Sequence, residues 1–201
     1  HNKLLNSKIK EQIYLGVLSV QYWGRCYAKG RVNHNHALTR ANWLLNGNAS
    51  SNRTMFDEEV GIKSVSNIIQ LIESDQIGEA FWEVRKIPHL GVSFGSKLLA
   101  FINPDKIGIY DSHIARYLAE DIKNIERLCT ESIDIDIILD SPSSFRAYDK
   151  YRFANYCTLL QTLAKQLNLK AESYRWTDWD KSLHSWRAID IERAFFVLAQ
   201  S

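Results

Sequence analysis

Cysteine is scarce in this chain. Cys26, Cys129 and Cys157 are the whole supply. They are odd in number and far apart, which excludes a disulfide framework and suits a reducing compartment. Long apolar runs are missing too. None would span a bilayer, and none at the start reads as a secretory leader. The expectation is a protein of the cell interior, cytoplasmic or at the bacterial nucleoid, with no membrane contact. Net charge is also small, at +2, and by itself announces no nucleic acid. No repeat or low-complexity tract appears. His34 and His36 make a His-x-His pair, but no carboxylate or cysteine nearby completes a ligand set, so no metal and no cofactor are expected.

What is present is apolar and aromatic. Hydrophobic residues make up 45% of 201 residues, with six Trp, nine Tyr and eight Phe. That suffices for a sizeable core in one domain spanning 1–201. The apolar spacing is helical almost throughout. Leu4 to Tyr27 reads as one helix or two. His36 to Leu45 is a short helix ended by Gly47, and Asn48 to Thr54 is an exposed loop. Asp57 to Glu73 and Phe145 to Leu167 are amphipathic helices, and a last helix ends at Leu198. Between them, Asn168 to Lys181 is an aromatic-rich loop holding Trp179. The reading is all-α.

Charge is segregated along the chain. Arg25, Lys29, Arg31 and Arg40 form a basic stretch without an acid, read as a solvated or phosphate-facing loop. Glu120, Asp121, Glu126, Glu131, Asp134, Asp136 and Asp140 stand against only Lys123 and Arg127, and such a face would point away from DNA. Ile133 to Leu139 alternates acids with isoleucines, but helix is preferred there because no partner strand is visible.

The centre of the chain runs from Ile87 to Arg116. Glu79 to Lys86 reads as a helix closed by Pro88 and Gly91. Pro88 to Gly95 reads as a hairpin. Lys97 follows in the first turn of a second helix, which stops at Asn103-Pro104. Asp111 occupies the N-cap of a third. A helix start after a hairpin offers backbone N–H groups to a phosphate. A lysine in a first turn is opposed by the helix dipole, so its amine should lose its proton more readily and become a nucleophile. Asp111 should stay ionised by the same rule.

These residues resemble the helix-hairpin-helix DNA glycosylases. Asp111-Ser112-His113-Ile114-Ala115-Arg116 is similar to that family's Asp-Thr-His-Ile-x-Arg stretch, and the wording is nearest the 8-oxoguanine-glycosylase-like branch. The hairpin reads Gly-Val-Ser-Phe-Gly in place of Gly-Val-Gly, which implies a longer or reshaped loop. Lys97 and Asp111 also stand closer together than is usual. The resemblance implies a two-lobed all-α bundle of roughly eight helices around a DNA cleft. It has too few cysteines for the iron–sulfur loop of some members. It implies a monomer acting on double-stranded DNA that holds a modified base, 8-oxoguanine or a hypermodified phage base such as glucosylated hydroxymethylcytosine.

Roles are carried over residue by residue. Lys97 and Asp111 are the catalytic candidates. Lys97 is either the amine nucleophile of an associated lyase step or a phosphate contact. Asp111 stabilises the sugar cation, activates water, or only caps its helix. Gly91, Val92, Ser93, Phe94, Gly95, Ser96, His113 and Arg116 are DNA-contact candidates. Gln21, in Leu18-Ser19-Val20-Gln21, resembles the glutamine with which endonuclease III-like glycosylases fill the gap left by an extruded base. Trp23, Trp43, Tyr110 and Trp179 are candidates for the base pocket, while Trp82 is read as core. The competing readings are a non-catalytic helix-hairpin-helix DNA-binding module and an unrelated helical regulator.

Overall fold

Helices dominate the computed structural model, which describes residues 1–28, 31–48, 55–119, 149–170, 174–177 and 181–200. The acidic stretch from Glu120 to Asp140, and Trp179, lie outside the described residues. In chain order the helices are α1 (Asn2–Leu5), α2 (Lys10–Cys26), α3 (His34–Asn46), α4 (Glu58–Glu73), α5 (Ile77–Glu83), α6 (Val92–Ile102), α7 (112–119), α8 (Lys150–Asn168) and α9 (Ala188–Leu198). Two short antiparallel ladders interrupt them. β1 (Tyr27–Ala28) pairs with β2 (Arg31–Val32), and β3 (Trp176–Thr177) pairs with β4 (Leu183–His184).

Helix starts follow the local chemistry. Asn33, Asp57 and Asp149 each accept hydrogen bonds from backbone N–H groups of the first turn of α3, α4 and α8, satisfying donors that a helix cannot. Gly47 ends α3 at φ 74°, a left-handed conformation that glycine adopts without steric cost. The buried apolar residues from Leu5 to Phe195 form one continuous cluster. Within it, the Phe81 and Phe153 rings stack at 4.0 Å and join α5 to α8.

Three sequence expectations need correction. The aromatic-rich segment is not all loop: the β3–β4 ladder crosses it, with Trp176 stacked on His184 at 4.8 Å. Trp82 is not core. It is 45% exposed, with the Arg85 guanidinium 3.8 Å above its ring. Arg25 is not on a solvated loop. It ends α2 half-buried, its guanidinium 4.2 Å from the Phe94 ring centre.

The element that positions the site is the connection 103–111 between α6 and α7. Three helices hold it. Gln161 of α8 donates to the Lys106 carbonyl at 2.8 Å, and Tyr156 donates to that of Ile109 at 2.8 Å. The first N–H groups of α9, from Ala188 and Ile189, donate to the carbonyls of Asp105 and Pro104. From α6, the buried Ser96 hydroxyl accepts the Tyr110 N–H at 2.9 Å. Its own proton is shared between the carbonyls of Ser93, at 2.9 Å, and Tyr110, at 3.2 Å. Gly108 lets the connection lie against its neighbours: a Cβ there would stand 3.3 Å from the Tyr156 hydroxyl and 3.0 Å from Glu192 Cβ.

Replacing Ser96 by Ala would remove the Ser96 hydroxyl from the buried Tyr110 N–H. The loss should be about 1–3 kcal/mol, read as a lower denaturant midpoint with an unchanged slope.

Candidate active site

The turn before α6 is short. Val84–Lys86 forms a single 3-10 turn, and the chain reverses over Ile87 to Gly91. Helix α6 begins at Val92, so of the longer or reshaped hairpin anticipated over Pro88 to Gly95, the part from Val92 to Gly95 is helix. Val92, Ser93, Phe94, Gly95 and Ser96 are helical, and all but half-buried Ser93 are buried. The physical reason is apolar periodicity: Val92, Gly95, Leu98, Leu99 and Ile102 face the core, which draws the helix back to Gly91. Gly91 itself is exposed, and no side chain caps the helix. Lys97 therefore lies at the sixth helical position, in the second turn and not the first.

Lys97 donates to Ser93 Oγ at 2.8 Å, and its amine sits 5.1 Å from the Phe94 ring centre. Burial lowers its pKa, opposed by the attraction of Asp111 and Glu192 and reinforced by Arg25. The direction matches the expectation from sequence, but the leading cause is desolvation of the charged form. Gly24 of α2 makes this possible. A Cβ there would come within 2.5 Å of the Phe94 ring and 3.3 Å of Lys97 Cδ.

Asp111 is the N-cap of α7. Its Oδ1 accepts from the N–H groups of His113 at 2.9 Å and Ile114 at 3.1 Å. Oδ2 has no hydrogen-bond partner among the described residues.

Lys97 and Asp111 open into one cavity of about 650 Å³. That is within the roughly 300–1,000 Å³ of small-molecule sites. Trp23 and Gly24 from α2, His113 from α7, and Glu192 and Phe196 from α9 complete much of its wall. His113 meets Phe196 edge-on at 5.8 Å.

The other candidates distribute as follows. Trp23 is 48% exposed at the cavity wall. Tyr110 turns into the core against Tyr156, at 5.1 Å. Trp43 lies away from the cavity, under the Arg40 guanidinium and beside His89. Arg116 is exposed on α7. Gln21 is only 1% exposed and its Oε1 is unpartnered, so this conformation does not present it to a duplex. Among the described residues no cluster of three His, Cys, Asp or Glu is placed to hold a metal ion. No described helix is long and apolar enough to cross a membrane.

The sequence profile of a family described as "Putative 8-oxoguanine DNA glycosylase OGG-like protein" matches residues 10–196. The chain belongs to this family. The match takes in α2 through most of α9, and so every helix that lines the cavity. No curated protein and no solved structure matches.

Glu192 is a buried acid lining this cavity that the sequence reading missed. It is 4% exposed, and burial, with the negative charge of Asp111, pushes its carboxyl up to about 8, against the pull of Lys97 and Arg193. A signal existed. Ala188, Ile191, Glu192 and Phe195 share the inward stripe of α9, and an acid on such a stripe is uncommon.

The raised pKa makes a stability prediction. Glu192 binds its proton more tightly folded than unfolded. Its contribution is full below the ordinary carboxylate range and is lost as pH rises through about 8. Wild-type Tm should therefore fall between mild acid and mild alkali more than that of Glu192→Gln, whose amide does not titrate. Thermal unfolding across that range checks it.

Proposed function

We propose that this protein is a DNA glycosylase that turns a modified base out of the duplex and cleaves its N-glycosidic bond. The observation that carries the reading is the opening of the Lys97 amine and the Asp111 carboxylate into one base-sized cavity.

The chemistry follows from the groups present. A base in a duplex must leave the stack before its sugar bond is accessible. As that bond breaks, positive charge grows on the sugar. Asp111 Oδ2 is available to stabilise that charge, while Oδ1 holds the helix start. Burial favours the neutral amine of Lys97, the form that attacks carbon. Attack at the sugar C1′ gives a Schiff base, whose elimination nicks the strand. The exposed, uncapped start of α6 at Gly91 offers backbone N–H groups to a phosphate of the same strand. Trp23 and Phe196 supply apolar wall for the extruded base.

The family description makes 8-oxoguanine the first substrate to test, in a repair role. Glucosylated hydroxymethylcytosine is the second, in defence against phage. Mass spectrometry of bases released from duplexes carrying each modification decides between them. Release of no base from any modified duplex would defeat the enzyme reading.

Two variants test the roles. Asp111→Asn keeps a capping side chain and should lower base release by about a hundredfold or more; a folded variant with near-normal single-turnover release would remove Asp111 from the chemistry. Wild type should form a covalent adduct with DNA when borohydride is present during turnover. Lys97→Arg keeps the charge but not a removable proton, and should lose both adduct and nicking. An arginine variant that still traps would show that Lys97 is not the nucleophile.

A further inference from the structure

Helix α9 buries two acids, and they are treated differently. Asp190, 6% exposed, accepts three bonds from Arg187: from its backbone N–H at 3.1 Å, its Nε at 2.9 Å and its Nη2 at 3.1 Å. That acid is fully explained as a helix cap. Glu192, 4% exposed, has no hydrogen bond and no ion pair among the described residues. Its carboxyl faces the cavity that holds Lys97 and Asp111. An unpaired buried carboxyl costs stability, so its place on an otherwise apolar stripe calls for a role in the cavity.

We propose that Glu192 is a further catalytic residue, the carboxylic acid that protonates the departing base while the Lys97 amine attacks the sugar. The inference rests on the glycosylase reading. The charged and titratable groups facing Glu192 are Lys97 from α6, Asp111 at the start of α7, Tyr156 from α8 and Arg193 from its own helix; His113 lines the same cavity. Burial and the nearby Asp111 favour the protonated acid at neutral pH. Gly108 provides the room, since a side chain there would press on Glu192 Cβ.

The step balances. The lone pair of Lys97 Nζ forms a bond to C1′ as the C1′–N bond to the base breaks. That bond's electron pair passes to the base nitrogen, which takes the Glu192 proton. The ammonium formed on Lys97 then returns one proton to the Glu192 carboxylate, restoring the acid. No oxidant, metal or added co-reactant is required.

The test compares two duplexes with one variant. On the duplex with the released base, beginning with 8-oxoguanine, Glu192→Gln should slow single-turnover release by about a hundredfold. Wild-type release should fall as pH rises through about 8, where the acid is lost, and this alkaline fall should be absent from the variant. On a duplex with a ready-made abasic site no base departs, so borohydride adduct formation by Glu192→Gln should fall far less than base release. Glu192→Asp keeps an acid and should recover part of the release and the alkaline fall. Release at the wild-type rate, or an adduct yield that falls in parallel with release, would overturn the proposal. A wild type that neither releases base nor forms an adduct would instead defeat the glycosylase reading and the proposal with it.

Discussion

The Ser96 hydroxyl receives the Tyr110 N–H at 2.9 Å, and that bond ties the approach to α7 onto α6. Ser96 precedes Lys97, and Tyr110 precedes Asp111. This contact therefore helps to set the Lys97 helix against the Asp111 cap. The contact is buried, where an amide proton without a partner is expensive and alternatives are few. Tyr156 and Gln161 then hold the rest of the connection from the opposite side. The connection has no regular structure, yet its position is set by three helices. A site built in this way needs no rearrangement to bring its charged groups together.

Electrostatics at Lys97 and Glu192 follow from burial more than from any one pair. Burial acts on Lys97 and on Glu192 in opposite directions, lowering one pKa and raising the other. Each shift favours the neutral form, because a low-dielectric wall disfavours both charges. The mutual attraction of the pair works against this, favouring an ion pair. Desolvation is the leading cause for both groups, so burial outweighs that attraction in the direction of each shift. Arg25 adds to the effect on Lys97, stacked on the same Phe94 ring that the amine approaches.

The sequence made much of this legible, and the failures have physical causes. Most helices, the Asp111 cap and the Gly47 terminus follow from periodicity and local side-chain chemistry, which act over a few residues. The start of α6 was misplaced because Gly91 and Gly95 look alike as turn signals. Tertiary burial of Val92 and Phe94 decides between them. Gln21 matched a short pattern, but a pattern does not say which side of α2 faces the core. The β3–β4 ladder went unread because each strand is only two residues long. Glu192 was hidden by distance. Nothing in sequence ties the last helix to Lys97, although its place on an apolar stripe could have marked it.

The shift of Lys97 from the first to the second turn of α6 changes the physical account of its reactivity. A helix dipole acts within about the first turn and is screened by salt. At the sixth helical position that influence is largely spent. Desolvation is different. It depends on what covers the amine, here the Phe94 ring, the close approach of α2 at Gly24 and the wall formed by α9. Salt does little to it, since ions do not enter a covered site. A base entering the cavity would displace water and strengthen it further. On the proposed function, the Lys97 amine would therefore lose its proton most readily when a base fills the cavity.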